Sequence, residues 1–140
     1  YRCFRGKDDL LIALLADDSA LGATVLAERI AARDDDGLPA FVDELFTLLT
    51  LPAADGYAGV LVREHVRLSE THTEELRVAL APLTDLLASV LTTADPQRDA
   101  QTTFGVLLQG IHDVVLGHVP DARAHGAYLY RFCAHGLDGC

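Results

Sequence analysis

Apolar residues recur along this chain at the three- and four-residue spacing of helices, with no strand-like alternation. A first long helix is expected over residues 8–33, with Leu10, Leu14, Leu21, Val25 and Ile30 on its buried side. Asp8 and Asp9 open it, where the positive end of the helix dipole favours acids. Asp17, Asp18, Ser19 and Gly22 are weak helix formers that can bend it in the middle. An acidic loop, Asp34 to Gly37, leads to Leu38-Pro39, with proline near the first helical position. The wide apolar arc of Leu38, Phe41, Val42, Leu45, Phe46, Leu48 and Leu49 predicts a largely buried second helix, stopped at Leu51-Pro52.

A third helix, residues 57–68, follows a cap at Asp55-Gly56 and carries Tyr57, Leu61, Val62, His65 and Val66 on one arc. Thr71 and Glu74 match a capping box, and Leu76, Leu80, Leu83, Leu87, Val90 and Leu91 continue a fourth helix. Pro82 lies inside it and should kink it. Asp95-Pro96 caps and opens a fifth helix, residues 96–119, with two apolar faces. One face holds Thr103, Val106, Leu107, Gly110, Val114 and Gly117; the other holds Phe104, Leu108, Ile111, His112 and Val115. Thr102, Gln109 and Asp113 form the polar seam between them. A sixth helix, residues 122–135, follows Pro120-Asp121, bears Tyr128, Leu129, Phe132 and Cys133 on one stripe, and ends at Gly136. The expected fold class is all-α, about six helices in one domain.

Composition narrows the function. Half the residues are apolar, and no apolar run is expected to span a bilayer, so the chain reads as soluble, with no membrane partner. Three scattered cysteines without paired spacing point to a reducing, cytoplasmic setting. The net charge of −10 is unevenly placed. Arg2, Arg5 and Lys7 fall in the first seven positions, which hold no acid, while the other 133 residues carry 8 basic and 21 acidic groups, a balance of −13. A basic edge on an acidic body suits phosphate contact at one end only. The chain starts at Tyr1 and contains no methionine, which leads us to expect residues upstream.

The opening segment carries a recognisable spacing, Tyr1-x-x-Phe4-x-x-Lys7-x-x-Leu10-Leu11. It resembles the junction in TetR-family transcriptional regulators between the DNA-reading helix and the first helix of the ligand-binding domain. Gly6 stands where a capping serine is more usual. The resemblance implies that residues 1–7 are the remnant of a helix-turn-helix domain, with Tyr1 and Lys7 as DNA-phosphate contacts. It further implies that residues 8–140 form a ligand-binding and dimerisation domain of a ligand-responsive regulator, more often a repressor. Its partners would be a second copy, a small effector, and operator DNA held by the helix-turn-helix domain.

Catalytic and metal chemistry find little support. Among six histidines no two are three or four residues apart, and neither a nucleophile motif nor a phosphate loop occurs. Two of the near His-carboxylate pairs, His72 with Glu75 and His125 with Asp121, lie at helix starts where capping accounts for them. No enzyme activity, metal or cofactor is expected. The candidate effector cavity is apolar with few polar anchors: Phe46, Tyr57, Leu61, His65, Leu83, Leu87, Phe104, Leu108 and His112. His65 and His112 read first as core histidines hydrogen-bonded to backbone, Gln109 or Glu64, and second as polar anchors of that cavity. The candidate dimer face is Val106, Leu107, Gly110, Val114, Gly117, Tyr128 and Phe132. The alternative is a helical dimeric ligand- or partner-binding module that does not bind DNA.

Overall fold

The computed structural model describes residues 6–51 and 55–138, with side chains for 6–51 and 59–137. Tyr1 and the side chain of Tyr57 lie outside the described residues. The fold is all-helical, as expected: α1 Lys7–Ala31, α2 Gly37–Leu48, α3 Asp55–Thr71, α4 Thr73–Val90, α5 Pro96–Val115 and α6 Ala122–Asp138. α1 packs chiefly on α4, α2 on α6, and α5 lies between α4 and α6.

The caps follow local chemistry. Asp95 accepts the Arg98 amide at 3.2 Å and Asp121 the Ala124 amide at 3.1 Å, so both acids start helices as expected. The box at Thr71 does not form. A single residue, His72, separates α3 from α4, and the Thr71 hydroxyl donates back to the Arg67 carbonyl at 3.0 Å. Gly136 is likewise inside α6 and does not end it. α5 stops four residues early, at Val115. There Gly117, at φ 76°, and His118 donate to the carbonyls of Val114 and Asp113 at 3.1 and 2.8 Å, the double bond of a Schellman cap.

α2 is the centre of the core, with Leu38, Ala40, Phe41, Val42, Leu45 and Phe46 all buried. α4 buries the expected stripe of Leu76, Leu80, Leu83 and Leu87. α1 buries the expected one only in part, with Val25 and Ile30 half-buried. Leu15, Ser19 and Leu26 face inward, while Leu10, Leu14 and Leu21 are exposed, Leu21 by 65%. α1 is also the one described helix long and apolar enough to cross a bilayer, contrary to the expectation that no run would be. Asp17 and Asp18 sit side by side within it, each costing about 3 kcal/mol at a bilayer centre.

Ion pairs tie the helix ends together. Glu44, buried on α2, accepts from Arg29 at 2.6 Å and Arg33 at 3.0 Å, and Arg33 also reaches Asp43 at 2.6 Å. Burial alone would raise the Glu44 carboxyl, but the hydrogen bonds from Arg29 and Arg33 outweigh it and hold it below the usual range. At the other end of α1, Asp8 pairs with Arg67 at 2.8 Å and with His72 Nε2 at 3.1 Å. This clamp fixes the start of α1 to the α3–α4 junction, and it is where His72 finds its carboxylate, in place of Glu75.

Candidate functional site

Five helices leave a cavity of about 380 Å³ beside α1. Leu21, Gly22, Val25 and Leu26 form its α1 wall, and Leu45, Leu48, Leu49 and Leu51 line it from α2 and the residues just after. Leu61 of α3, Leu83 of α4, and Phe104 and Ile111 of α5 close the rest. Among the described residues Asp18 is the one charged lining residue, and it is exposed. Gly22 matters to the room available: a Cβ there would meet nothing within 4 Å. Such a site holds an apolar molecule by area and offers it one acceptor.

Of the residues expected to line a cavity, Leu61, Leu83 and Phe104 do so. Phe46, Leu87 and Leu108 do not; they are buried in the packed core. His65 and His112 are brought together, ring centroids 6.4 Å apart and edge to face, but outside this cavity's lining. They are neighbours to each other rather than anchors for an occupant of this space. The sequence pattern missed the α1 wall, and on α2 it pointed to Phe46 rather than to Leu45 and Leu48. The available signal was Gly22 between Leu21 and Val25, where a missing side chain thins one wall.

Burial, then the neighbouring His112 when charged, holds the His65 imidazole below its ordinary value of 6.5. The unfolded chain therefore binds this proton more readily, and stability is lost as pH falls below 6.5 towards the lowered folded value. The carboxylates of Asp43 and Glu44 add their own loss only lower, as pH drops through their depressed values. Unfolding temperature should fall between pH 7.5 and 5.5, and His65→Gln should flatten that slope. An unaltered slope would contradict this.

The face of α5 and α6 away from the core is a shallow groove of Thr102, Gly105, Val106, Gln109, Asp113, His125, Tyr128, Leu129 and Phe132. Phe132 is 59% and Tyr128 52% exposed, and Val106 is half-buried, in keeping with three of the expected dimer residues. Two of the other four are corrected. Leu107 is fully buried within the chain, and Gly110 is covered by Leu129 and Phe46 of the same chain. Val114 is half-buried, as Val106 is, and Gly117 is exposed as the C-terminal cap glycine, so neither is excluded from that face. α5 thus has one broad buried face, and the polar seam of Thr102, Gln109 and Asp113, with the open Gly105, belongs to the outer one. His125 lies on this face, with Nε2 3.4 Å from Asp113 Oδ2 and its ring stacked on Tyr128 at 5.9 Å. Lys7 projects freely, its side chain 76% exposed and its ammonium 4.0 Å from Glu64. Compared with known protein families, with curated proteins and with solved structures, the chain matches none.

Proposed function

We propose that this chain is the ligand-binding and dimerisation domain of a TetR-like, ligand-responsive transcriptional regulator, acting as a repressor and not as an enzyme. The observation that carries this reading is the cavity whose wall is α1. α1 is 25 residues long, roughly 37 Å, and its far end holds the basic edge with Lys7. A small apolar effector seated between Leu21, Val25, Leu61 and Phe104 would press on one end of a rigid rod. At the other end, the Asp8–Arg67–His72 clamp turns that push into a changed angle at the DNA-reading head. The effector acts only to the extent that it binds one placement of α1 better than the other.

In this reading two copies join through the outer face of α5 and α6, and operator DNA is held by a helix-turn-helix preceding Tyr1. The paired Asp17 and Asp18 would oppose insertion of α1 into a bilayer, which supports a cytoplasmic regulator in this reading.

N-phenyl-1-naphthylamine, neutral and fluorescent in apolar surroundings, tests the cavity. It should bind the wild-type chain saturably. Gly22→Leu should weaken it at least about tenfold, while removing a helical glycine raises stability by up to about 1 kcal/mol. Probe binding unaffected by Gly22→Leu would place the probe elsewhere and remove the main support. In the full-length protein, Lys7→Ala should weaken duplex binding roughly uniformly across sequences. A full-length protein with no duplex affinity would favour the non-DNA-binding helical module.

A further inference from the structure

A second cavity, of about 570 Å³, lies at the opposite end of α2 and shares no lining residue with the first. The start of α2, the end of α4, the connection to α5 and the last turns of α6 enclose it. Leu38, Val90, Leu91 and Leu137 give it an apolar side. Thr93 and Asp99 give it a polar one.

Two polar groups here are poorly served. Asp99 is only 8% exposed, yet its carboxylate pairs with Arg98 Nη2 at a loose 3.5 Å, and Arg98 itself points outward, its side chain 72% exposed. The Thr93 hydroxyl is buried with no hydrogen-bond partner among the described residues. Buried carboxylates and hydroxyls normally find close partners. Asp95 does not compete for an incoming cation on equal terms, because it is engaged in capping α5 through the Arg98 amide. The positive ends of α2 and α5 also reach the cavity, but Asp36 precedes the first and Asp95 caps the second. Among the described residues the side-chain charge around the cavity is negative, two carboxylates against one outward guanidinium.

We propose that this cavity binds a small amphipathic amine. Its ammonium takes the place of the loose Arg98 contact at Asp99 and donates to the Thr93 hydroxyl. Its apolar body lies against Leu38, Val90, Leu91 and Leu137. The proposal is independent of the regulator reading, since neither DNA nor the first cavity enters it.

Three probes with one body and different heads test it: 4-phenylbutylammonium, 4-phenylbutanol and 4-phenylbutanoate, titrated into the isotopically labelled chain and followed by amide NMR shifts. The ammonium should shift Thr92, Thr93 and Ala94 saturably and bind at least tenfold more tightly than the alcohol or the carboxylate. Asp99→Asn should bring it down to the alcohol's level, whereas Asp95→Asn, which still caps α5, should leave the preference intact. Ala134→Leu, narrowing the cavity from α6, should weaken the ammonium by a similar factor and decides the matter if Asp99→Asn fails to fold. A preference that survives Asp99→Asn would reveal diffuse attraction to an acidic protein and overturn the proposal. So would equal binding of all three probes, shifts centred on Leu61 and Phe104, or undiminished binding to Ala134→Leu.

Discussion

Phe46→Ala is expected to cost about 3–5 kcal/mol, a large part of the roughly 5–15 kcal/mol that holds a domain of this size together. Phe46 is fully buried on α2, where α5 and α6 meet it at glycines. A Cβ on Gly126 would stand 2.9 Å from the ring's Cγ and 3.0 Å from Phe46 Cβ; one on Gly110 would stand 3.0 Å from Cζ. The ring thus packs where α5 and α6 carry no side chain of their own. The edge of His125 at 6.5 Å completes the contact. Gly126→Ala should also destabilise, by about 1–3 kcal/mol, although alanine favours a helix over glycine by about 1 kcal/mol. In a Phe46→Leu background that penalty should shrink or reverse. Additive costs in chemical denaturation would mean that ring and glycine do not compete for the same volume.

The second large effect concerns assembly. Phe132→Asp should weaken self-association at least about thirtyfold, the consequence of losing roughly 2 kcal/mol or more at a central aromatic contact. Phe132 and Tyr128 are the large exposed side chains of the α5–α6 groove, and a Cβ on Gly105 in the same groove would meet nothing within 4 Å. Gly105→Leu should therefore act in two opposite directions. It should strengthen α5 within each chain by up to about 1 kcal/mol and weaken the dimer by filling the line of closest approach. Sedimentation equilibrium separates the two, and a Phe132→Asp chain that associates as the wild type does would remove this face from the interface. Gly110, in contrast, should alter folding more than association, because its neighbours are Leu129 and Phe46 of its own chain.

The helices were legible because their apolar residues repeat over many turns and because Asp95, Asp121 and Pro96 punctuate them. Which side of each helix faces inward was less so. In α1 the doublets Leu10-Leu11 and Leu14-Leu15 supply two apolar stripes about 100° apart, and periodicity cannot choose between them. Packing on α4 chooses Leu15, Ser19 and Leu26, leaving Leu21 to the cavity rim. In α5, Gly105 and Gly110 look alike in sequence, but only Gly110 has α6 and Phe46 against it. The first cavity was half legible for the same reason: Leu61, Leu83 and Phe104 follow from their arcs, while its α1 wall depends on that undecided stripe. Thr71 and Glu74 mislead because a box needs a free helix start, and the one-residue joint at His72 provides none.

In the proposed regulator, an occupant of the first cavity moves α1 within a two-fold dimer. The most direct measurement places a nitroxide at Lys7→Cys in both copies, with Cys3, Cys133 and Cys140 replaced, and reads the distance between them by pulsed electron resonance. One defined distance is expected in the unliganded chain, shifting by about 1–2 Å or more when N-phenyl-1-naphthylamine saturates the cavity. A chain that binds the probe yet gives no inter-copy distance, or an identical one with and without it, would contradict the claim.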